Sequence, residues 1–264
     1  VVPVNYRTRK GTMYKARALH YLMQQRAECM KGKHNVWILH LDEESIITPE
    51  VVAGIARFVD KHKGKRVVGQ GEIQYNAHNY ATNMLITAID SIRTGDDLGR
   101  FRLQYKMFEK PLFGMHGSFV LLPRILEEKI GYDLAKKGSI TEDAYFALIA
   151  MDKGYKFQWV EGYIREQSPF SLGALLKQRR RWISGLKYLV FDRAIPIKSR
   201  AILGTNMFLW GIAWVGPLVT LWNVLAGGSI LNPYVAMAAA VLSGIVGAVY
   251  VVGAWRNASV ARIS

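Results

Sequence analysis

Cysteine and acidic residues are the two scarce classes in this sequence of 264 residues. The single cysteine, Cys29, excludes an intramolecular disulfide bond and fits a reducing compartment. Because Cys29 falls in a helical pattern, we predict a small buried side chain rather than a nucleophile. Lysine and arginine number 35 against 20 aspartate and glutamate residues, and the net charge of +15 predicts an anionic partner: nucleic acid, nucleotide phosphates or an acidic membrane surface.

Charge is almost absent from residues 201–264, which contain Arg256, Arg262 and no acid. Residues 1–200 therefore hold 33 cations and 20 acids, a net charge of +13. Two uncharged runs, 201–226 and 234–255, each exceed the ~20 apolar residues that cross a bilayer. The turn-forming residues 227–233 between them predict a transmembrane helical hairpin. Cations precede the first run and follow the second, so the positive-inside rule places both ends of the hairpin in the cytoplasm.

The run Val36 to Ser45 predicts a buried strand that ends in adjacent carboxylates. Open α/β folds place ligands at such a sheet edge, and carboxylates there suit Mg²⁺ or Mn²⁺ that shares its shell with substrate phosphates. Asp42 and Glu44 are two residues apart and point to the same side if the strand continues through them. The alternative is a strand-to-loop junction whose acids face water.

Strand and helix patterns alternate through the first 170 residues. An N-cap at Thr48 and Pro49 at the first helical position begin one helix. The other predicted elements are helices from Ala16 to Met30 and from Asn79 to Ile92, a turn at 94–97, and strands at 67–75, 117–123 and 155–160. Buried strands that alternate with helices predict an α/β fold with a mostly parallel sheet covered on both faces.

Three polar segments could serve a site at the edge of this sheet. Arg7 to Lys15 places cations and a glycine before a helix, which suits phosphate, although a solvated basic loop has the same composition. His116 could contact a sugar or simply be packed. Thr141 can cap a helix whose first turn holds Glu142 and Asp143. Those acids are either ordinary helix-dipole partners or include a general base.

Residues 171–191 form a basic amphipathic pattern directly before the first apolar run, which predicts a helix in the membrane interface. Gln178, Arg181 and Trp182 lie at i, i+3 and i+4 and share one face of this helix. A hydrogen-bonding amide, a permanent cation and an aromatic plane suit a diphosphate and a sugar ring.

Three motifs in this order resemble the membrane-bound glycosyltransferases of family 2, which include cellulose, chitin and hyaluronan synthases. The motifs are Asp42-Glu43-Glu44, Thr141-Glu142-Asp143 and Gln178 to Trp182, and they match that family's D-x-D, T/E-E-D and Q-x-x-R-W patterns. Residues 8–18, 40–44, 96–99, 110–113 and 166–170 resemble segments of the egghead-type β-1,4-mannosyltransferases more closely. The resemblance covers roughly residues 5–195. Glu44 departs from the family's second aspartate and is a longer carboxylate, so the family's metal geometry does not carry over directly.

The resemblance implies a GT-A-like fold and inverting transfer of a hexose from a nucleotide-sugar, with GDP-mannose as donor and a glucosyl lipid or glycan as acceptor. It implies that Asp42 and Glu44 hold Mn²⁺ or Mg²⁺ and that Asp143 is the general base. The implied donor- and acceptor-binding residues are Lys10, Lys15, Glu142, Gly117, Ser118, Gln178, Arg181 and Trp182. The implied partners are a nucleotide-sugar, a glycolipid or glycan and the bilayer, without nucleic acid.

The predicted organisation has three parts: a partial GT-A domain at 1–170, an interfacial segment at 171–200 and two transmembrane helices at 201–264. Relatives in the family place one or two strands and a base-reading aspartate ahead of the segment Arg7 to Lys15, and the chain does not begin with methionine. We therefore expect this chain to be an incomplete enzyme that lacks the N-terminal part of the domain.

Two alternatives and one weaker candidate remain from sequence alone. A processive polysaccharide synthase would share the motifs, although two spans are too few to enclose a polymer channel. A membrane-tethered binder of anionic ligands would use the net charge of +13 and perform no chemistry. A transporter is disfavoured because neither apolar run contains an acidic or basic residue.

Overall fold

The computed structural model describes residues 1–33, 35–77, 83–227 and 232–261. Its strands are β1 (Trp37–His40), β2 (Ile46–Ile47), β3 (Val67–Gln74), β4 (Val120–Pro123) and β5 (Lys156–Arg165). Its helices are α1 (Tyr14–Cys29), α2 (Pro49–His62), α3 (Met84–Asp96), α4 (Arg124–Ile130), α5 (Ala135–Gly138), α6 (Glu142–Asp152), α7 (Leu172–Phe191), α8 (Ile197–Ala213), α9 (Val215–Leu225) and α10 (Pro233–Ala261).

Local signals begin two of these helices, and the first of the two was predicted. The Thr48 hydroxyl accepts a hydrogen bond from the backbone N–H of Val51 at 3.3 Å, and Pro49 occupies the first position of α2. Ser171 likewise caps α7 by accepting from the N–H of Ala174 at 3.2 Å. These caps satisfy N–H groups that have no partner within the helix.

The five strands form one mixed sheet in the order β1-β4-β3-β5-β2. Only the β3–β5 pair is parallel, and the other three pairs are antiparallel, so the prediction of a mostly parallel sheet holds for that pair alone. Strands β1, β3 and β5 nevertheless run in one direction. The short strand β4 lies between β1 and β3 and runs the opposite way. The sequence did not predict this, because an apolar run does not specify the direction of its strand.

Both faces of the sheet are covered, as predicted. In β4, Val120 and Leu122 point into a cluster with Phe146 and Phe157, while Leu121 points into a second cluster on the opposite face. Burying a side chain of this size contributes roughly 1.5–3 kcal/mol. The two apolar layers therefore fix the sheet, and with it the loop that follows β1.

The predicted turn at 94–97 is instead helical, because α3 runs to Asp96 and continues in wider helical turns at Asp97–Phe101 and Gln104–Phe108. Gly95 does not reverse the chain. It lets the backbone of α10 approach, since a Cβ at Gly95 would contact the carbonyl of Val249. The predicted start of this helix at residues 79–82 lies outside the described residues.

Two helical segments, Ile197–Leu225 and Pro233–Ser259, are long and apolar enough to cross a membrane. The first comprises α8 and α9, which are separated at Trp214. Helix α9 packs against α10, where the hydroxyls of Thr220 and Ser243 lie 3.3 Å apart, as in a hairpin. The connecting residues 228–231, and Arg262 beyond α10, lie outside the described residues.

The prediction for Cys29 is wrong, because its side chain is exposed in the last residue of α1. Helical periodicity identified the helix. It did not identify which face of that helix packs against the sheet.

Candidate functional site

A cluster of charges forms where β1 ends. Lys15, in the first turn of α1, makes an ion pair with the Asp42 carboxylate and also donates to the carbonyl of Gly117 at 2.8 Å. Burial lowers the pKa of Lys15, but the attraction of Asp42 outweighs it and the net shift is upward. The backbone N–H of Asp42 lies 3.1 Å from the Ser118 hydroxyl, its acceptor. The fold thus brings four of the predicted residues together.

Glu44 occupies a different environment from Asp42. Strand β1 ends at His40, and residues 42–45 form a turn in which the N–H of Ser45 donates to the carbonyl of Asp42 at 3.1 Å. Residues two apart share a side only in a strand, so Asp42 and Glu44 do not have to point the same way, and Glu44 is exposed. Within the part of the chain that the structure describes, no three histidine, cysteine or acidic side chains are grouped to hold a metal ion.

Asp143 joins this cluster from the start of α6. One of its oxygens, Oδ1, accepts from the N–H of Ala144 at 2.7 Å. A Cβ placed on Gly117 would lie 3.2 Å from the other oxygen, Oδ2, and 3.5 Å from Lys15 Nζ. The absence of a side chain at Gly117 therefore keeps one Asp143 oxygen accessible beside the Lys15 ammonium.

The two neighbouring acids of α6 have raised pKa values. Burial, followed by the charge of Asp143, raises the pKa of Glu142 to about 8. Burial also raises the pKa of Asp143, against the lowering effects of the Ala144 N–H, His116 and Lys15. At neutral pH Glu142 is accordingly protonated. A carboxyl group with a raised pKa beside a cleft has the character of a general base.

Thr141 does not cap α6 as predicted. Its hydroxyl is buried without a hydrogen-bond partner, and a Cβ on Gly185 of α7 would lie 2.8 Å from it. Gly185 has no side chain and so lets α7 approach Thr141 this closely. The T-E-D segment and the Q-x-x-R-W helix are therefore in direct contact.

The three Q-x-x-R-W residues have partners other than the charge cluster. Gln178 is half-buried and accepts from Arg179, while Arg181 is exposed. Trp182 is half-buried against two guanidinium groups, with Arg93 Cζ 4.7 Å and Arg179 Cζ 4.5 Å from its ring centroid. The hydrogen bonds and ion pairs of the described residues do not join these three to Asp42 or Asp143.

The remaining predicted residue, Lys10, contributes its backbone. Its N–H donates to the Asp133 carboxylate at 3.1 Å, and its side chain is exposed. Asp133 also accepts from the Thr12 hydroxyl at 2.8 Å. These contacts fix the segment that leads into α1 and so direct Lys15 toward Asp42.

Sequence reasoning missed the partners of these residues. Asp90 is fully buried and pairs with both Arg93 and Arg179, and its i, i+3 spacing to Arg93 on α3 was the available signal. Glu166 is buried, accepts from Ser45 at 3.1 Å, and belongs to a segment already noted for its resemblance.

His116 is packed rather than free. It pairs with the buried Asp97 and stacks on Phe101 at a centroid distance of 4.3 Å. Burial lowers the pKa of His116, but Asp97 reverses the shift and raises it. The ring nonetheless borders the same small cavity as Glu142 and Asp143.

An α/β fold with a mixed sheet, carboxylates at the sheet edge and apolar helices after the sheet is consistent with a membrane-associated transferase. The profile described as "Glycosyl transferase family group 2" matches residues 37–255, so the chain belongs to this family.

Three relatives are similar over 210 residues, or 80% of this chain. They are the beta-1,4-mannosyltransferase egh of Drosophila melanogaster, 41% identical, and the beta-1,4-mannosyltransferases bre-3 of Caenorhabditis briggsae and Caenorhabditis elegans, each 40% identical. The chain spans about 45% of the length of these relatives.

Proposed function

We propose that this chain contains the catalytic centre of an inverting hexosyltransferase with a GT-A-like fold. It transfers mannose from GDP-mannose to a lipid-linked or glycan acceptor and forms a β-linkage. The family match and the relatives named as β-1,4-mannosyltransferases support the reaction class. The observation that carries the proposal is Asp143, half-buried with one oxygen fixed and the other beside Gly117 and Lys15.

Asp143 is the general base in this proposal. The N–H of Ala144 orients Oδ1, which leaves Oδ2 to accept the proton of the acceptor hydroxyl. That hydroxyl oxygen forms the new bond to the anomeric carbon while the bond to the nucleoside diphosphate breaks on the opposite face. Positioned proton transfer of this kind typically contributes 10²–10⁴ in rate.

The residues present fit a divalent ion shared with the donor diphosphate. Asp42 pairs with the Lys15 ammonium, and the charges of Glu142 and Asp143 also attract it. Mg²⁺ sites of this type use one or two carboxylates plus phosphate oxygens, so they do not need three protein ligands. Asp42, with Glu44 from the adjoining turn, would hold Mn²⁺ or Mg²⁺. The ion would offset negative charge on the leaving diphosphate.

The other predicted residues bind the two substrates. Lys15, with Lys10 nearby in sequence, adds positive charge for the donor phosphates, and Gly117 and Ser118 shape the cleft wall beside Asp42. Gln178 and Arg181 contact the diphosphate. Trp182 frames the acceptor sugar with its ring face.

Exposed apolar side chains support the assignment of a membrane-facing part. Leu172, Leu176 and Ile183 of α7 are exposed at 51%, 61% and 58%, alongside Lys177, Arg180 and Lys187. We place α7, within segment 171–200, in the membrane interface and segment 201–264 across the bilayer. Cations before α8 and after the last apolar run put the catalytic domain, residues 1–170, on the cytoplasmic side.

A donor panel tests the proposed function. The membrane-inserted protein is incubated with GDP-mannose or UDP-sugars, Mn²⁺ and octyl β-glucoside as a glucosyl acceptor, and released nucleotide and product linkage are measured. Mannosyl transfer with β stereochemistry is expected, and Asp143→Asn is the matched inactive control. Polymer formation from a UDP-sugar would indicate a processive synthase instead, and nucleotide binding without turnover would contradict an enzyme.

A further inference from the structure

The C-terminal turns of α10 lie against α3 with their backbones in contact. A Cβ on Gly253 would lie 2.7 Å from the backbone nitrogen of Gly95 and would also overlap the carbonyl of Ser91. A Cβ on Gly95 would overlap the carbonyl of Val249 in the same way. Small residues at facing positions let helices approach this closely, and here both are glycine. The packing therefore excludes any side chain at positions 95 and 253.

Asn257 ties the same end of α10 to two elements of the catalytic domain. The residue is fully buried, and its side-chain amide donates to the Ser91 hydroxyl of α3 at 3.0 Å. Its Oδ1 accepts from the N–H of Tyr75 at 3.2 Å and lies 3.0 Å from the Thr94 hydroxyl. Its backbone carbonyl accepts from Asn76 at 2.9 Å. Asn257 thus links α10 to α3 and to the segment that follows β3.

A second contact strengthens this docking. The Arg256 guanidinium donates to both oxygens of the Glu72 carboxylate in β3. Its Nε lies 2.9 Å from Oε1 and its Nη2 lies 3.3 Å from Oε2. The last turns of α10 therefore pack against β3 and α3 of the proposed catalytic domain.

The same two elements support Trp182. Arg93 of α3 lies between Tyr75 and Trp182, with Cζ 3.7 Å from the first ring centroid and 4.7 Å from the second. Asp90 lies one helical turn before Arg93 and accepts a hydrogen bond from its guanidinium at 3.3 Å. Asp90 also pairs with Arg179, the other cation beside the Trp182 ring. The orientation of Trp182 thus depends on where α3 and Tyr75 lie.

We propose that Gly253 and Asn257 are positioning residues for acceptor transfer. They dock α10 on α3 and Tyr75, and this docking fixes Asp90 and Arg93 beneath Trp182. The inference rests on the proposed function, because Trp182 is taken to frame the acceptor. Helix α10 then sets the geometry of the acceptor side, while the donor side at Asp42 and Lys15 does not depend on it.

Glycine substitutions along α10 test this proposal with a matched control. Gly253→Ala disrupts the docking, whereas Gly247→Ala adds the same methyl where no heavy atom lies within 4 Å. Two rates are measured on the detergent-solubilised protein. The first is hydrolysis of GDP-mannose, followed as GDP release without an acceptor, and the second is mannosyl transfer to octyl β-glucoside. Gly253→Ala should raise the KM for octyl β-glucoside by about 10-fold or more, since small misplacements have large effects on reaction. GDP release without acceptor should fall by at most about threefold, because Asp42 and Lys15 keep their contacts and only Gln178 and Arg181 among the residues proposed to bind the diphosphate lie on α7. Gly247→Ala should match the parent protein in both assays.

Hydrogen exchange provides a readout that is independent of turnover. Loss of docking should increase amide exchange in α3 and also in residues 178–186 of α7, which a purely local packing role would leave unchanged. If Gly253→Ala does not yield folded protein, the milder Asn257→Ala replaces it in both measurements.

Two results would overturn the positioning role. One is an unchanged acceptor KM, and the other is an equal loss of GDP release and transfer. If the parent protein shows no transfer at all, the proposed function fails, and the exchange measurement alone decides the coupling between α10 and α7: increased exchange around Trp182 supports it, and unchanged exchange refutes it.

Discussion

Glu142 makes a specific contribution to the pH dependence of stability, and Glu142→Gln isolates it. The pKa of this carboxyl is raised from 4.5 to about 8, mainly by burial. Between these values the folded protein keeps a proton that the unfolded chain releases. Stability from this group is therefore fully present below about pH 4.5 and is lost as pH rises toward about 8.

The magnitude follows from the width of that interval. The pH of 7 is about 2.5 units above the ordinary glutamate pKa of 4.5. Each pH unit in this interval is worth about 1.4 kcal/mol, so burying Glu142 costs about 3 kcal/mol at pH 7. Glutamine has a similar shape and cannot ionise. Glu142→Gln should therefore be more stable than the parent protein at pH 7, by roughly 6–12 °C in Tm for a protein of this size.

The assay is thermal unfolding in detergent from pH 4.5 to 8.5. The two proteins should have the same Tm near pH 4.5, and the gap should widen until about pH 8. Asp60→Asn, which removes a charge on the exposed side of α2, is the control and should show no widening gap. Parallel Tm curves for Glu142→Gln and the parent protein would refute the assignment of a buried, protonated Glu142.

Four further outcomes concern catalysis. Asp143→Asn should lower turnover by at least ~10² while leaving the Kd for GDP-mannose nearly unchanged, and an equal loss of donor affinity would instead assign Asp143 to binding. In the parent protein, turnover should fall as pH drops through the raised pKa of Asp143, because the base must be ionised; a pH-independent rate would count against this role. Gly117→Ala should lower kcat by ~10-fold or more because its methyl would lie 3.2 Å from Asp143 Oδ2, whereas Gly99→Ala, with open space around its Cβ, should be neutral. EDTA should abolish transfer and added Mn²⁺ should restore it; full activity without metal would contradict ion binding at Asp42.

Some features follow from the sequence because their causes act within a few residues. The cap at Thr48 with Pro49 produced α2 as predicted. The apolar run from Val36 produced β1 with Asp42 just beyond its end, but β1 is a half-buried strand at the sheet edge and not the buried strand that was predicted. Two uncharged runs produced the apolar helical segments at the C-terminus. Capping, alternation and hydrophobic length need no knowledge of distant neighbours.

Other features depend on tertiary contacts. The direction of β4, the exposure of Cys29 and the helical continuation through Gly95 each depend on what packs alongside, and local patterns do not specify the neighbour. The site shows the same division. The sequence contained Asp42, Asp143 and Trp182 in recognisable motifs, but Lys15 reaches Asp42 from 27 residues away, and Asn257 reaches Tyr75 from 182 residues away. A buried charge or amide is stable only with a partner, and only the folded chain determines which distant residue that partner is.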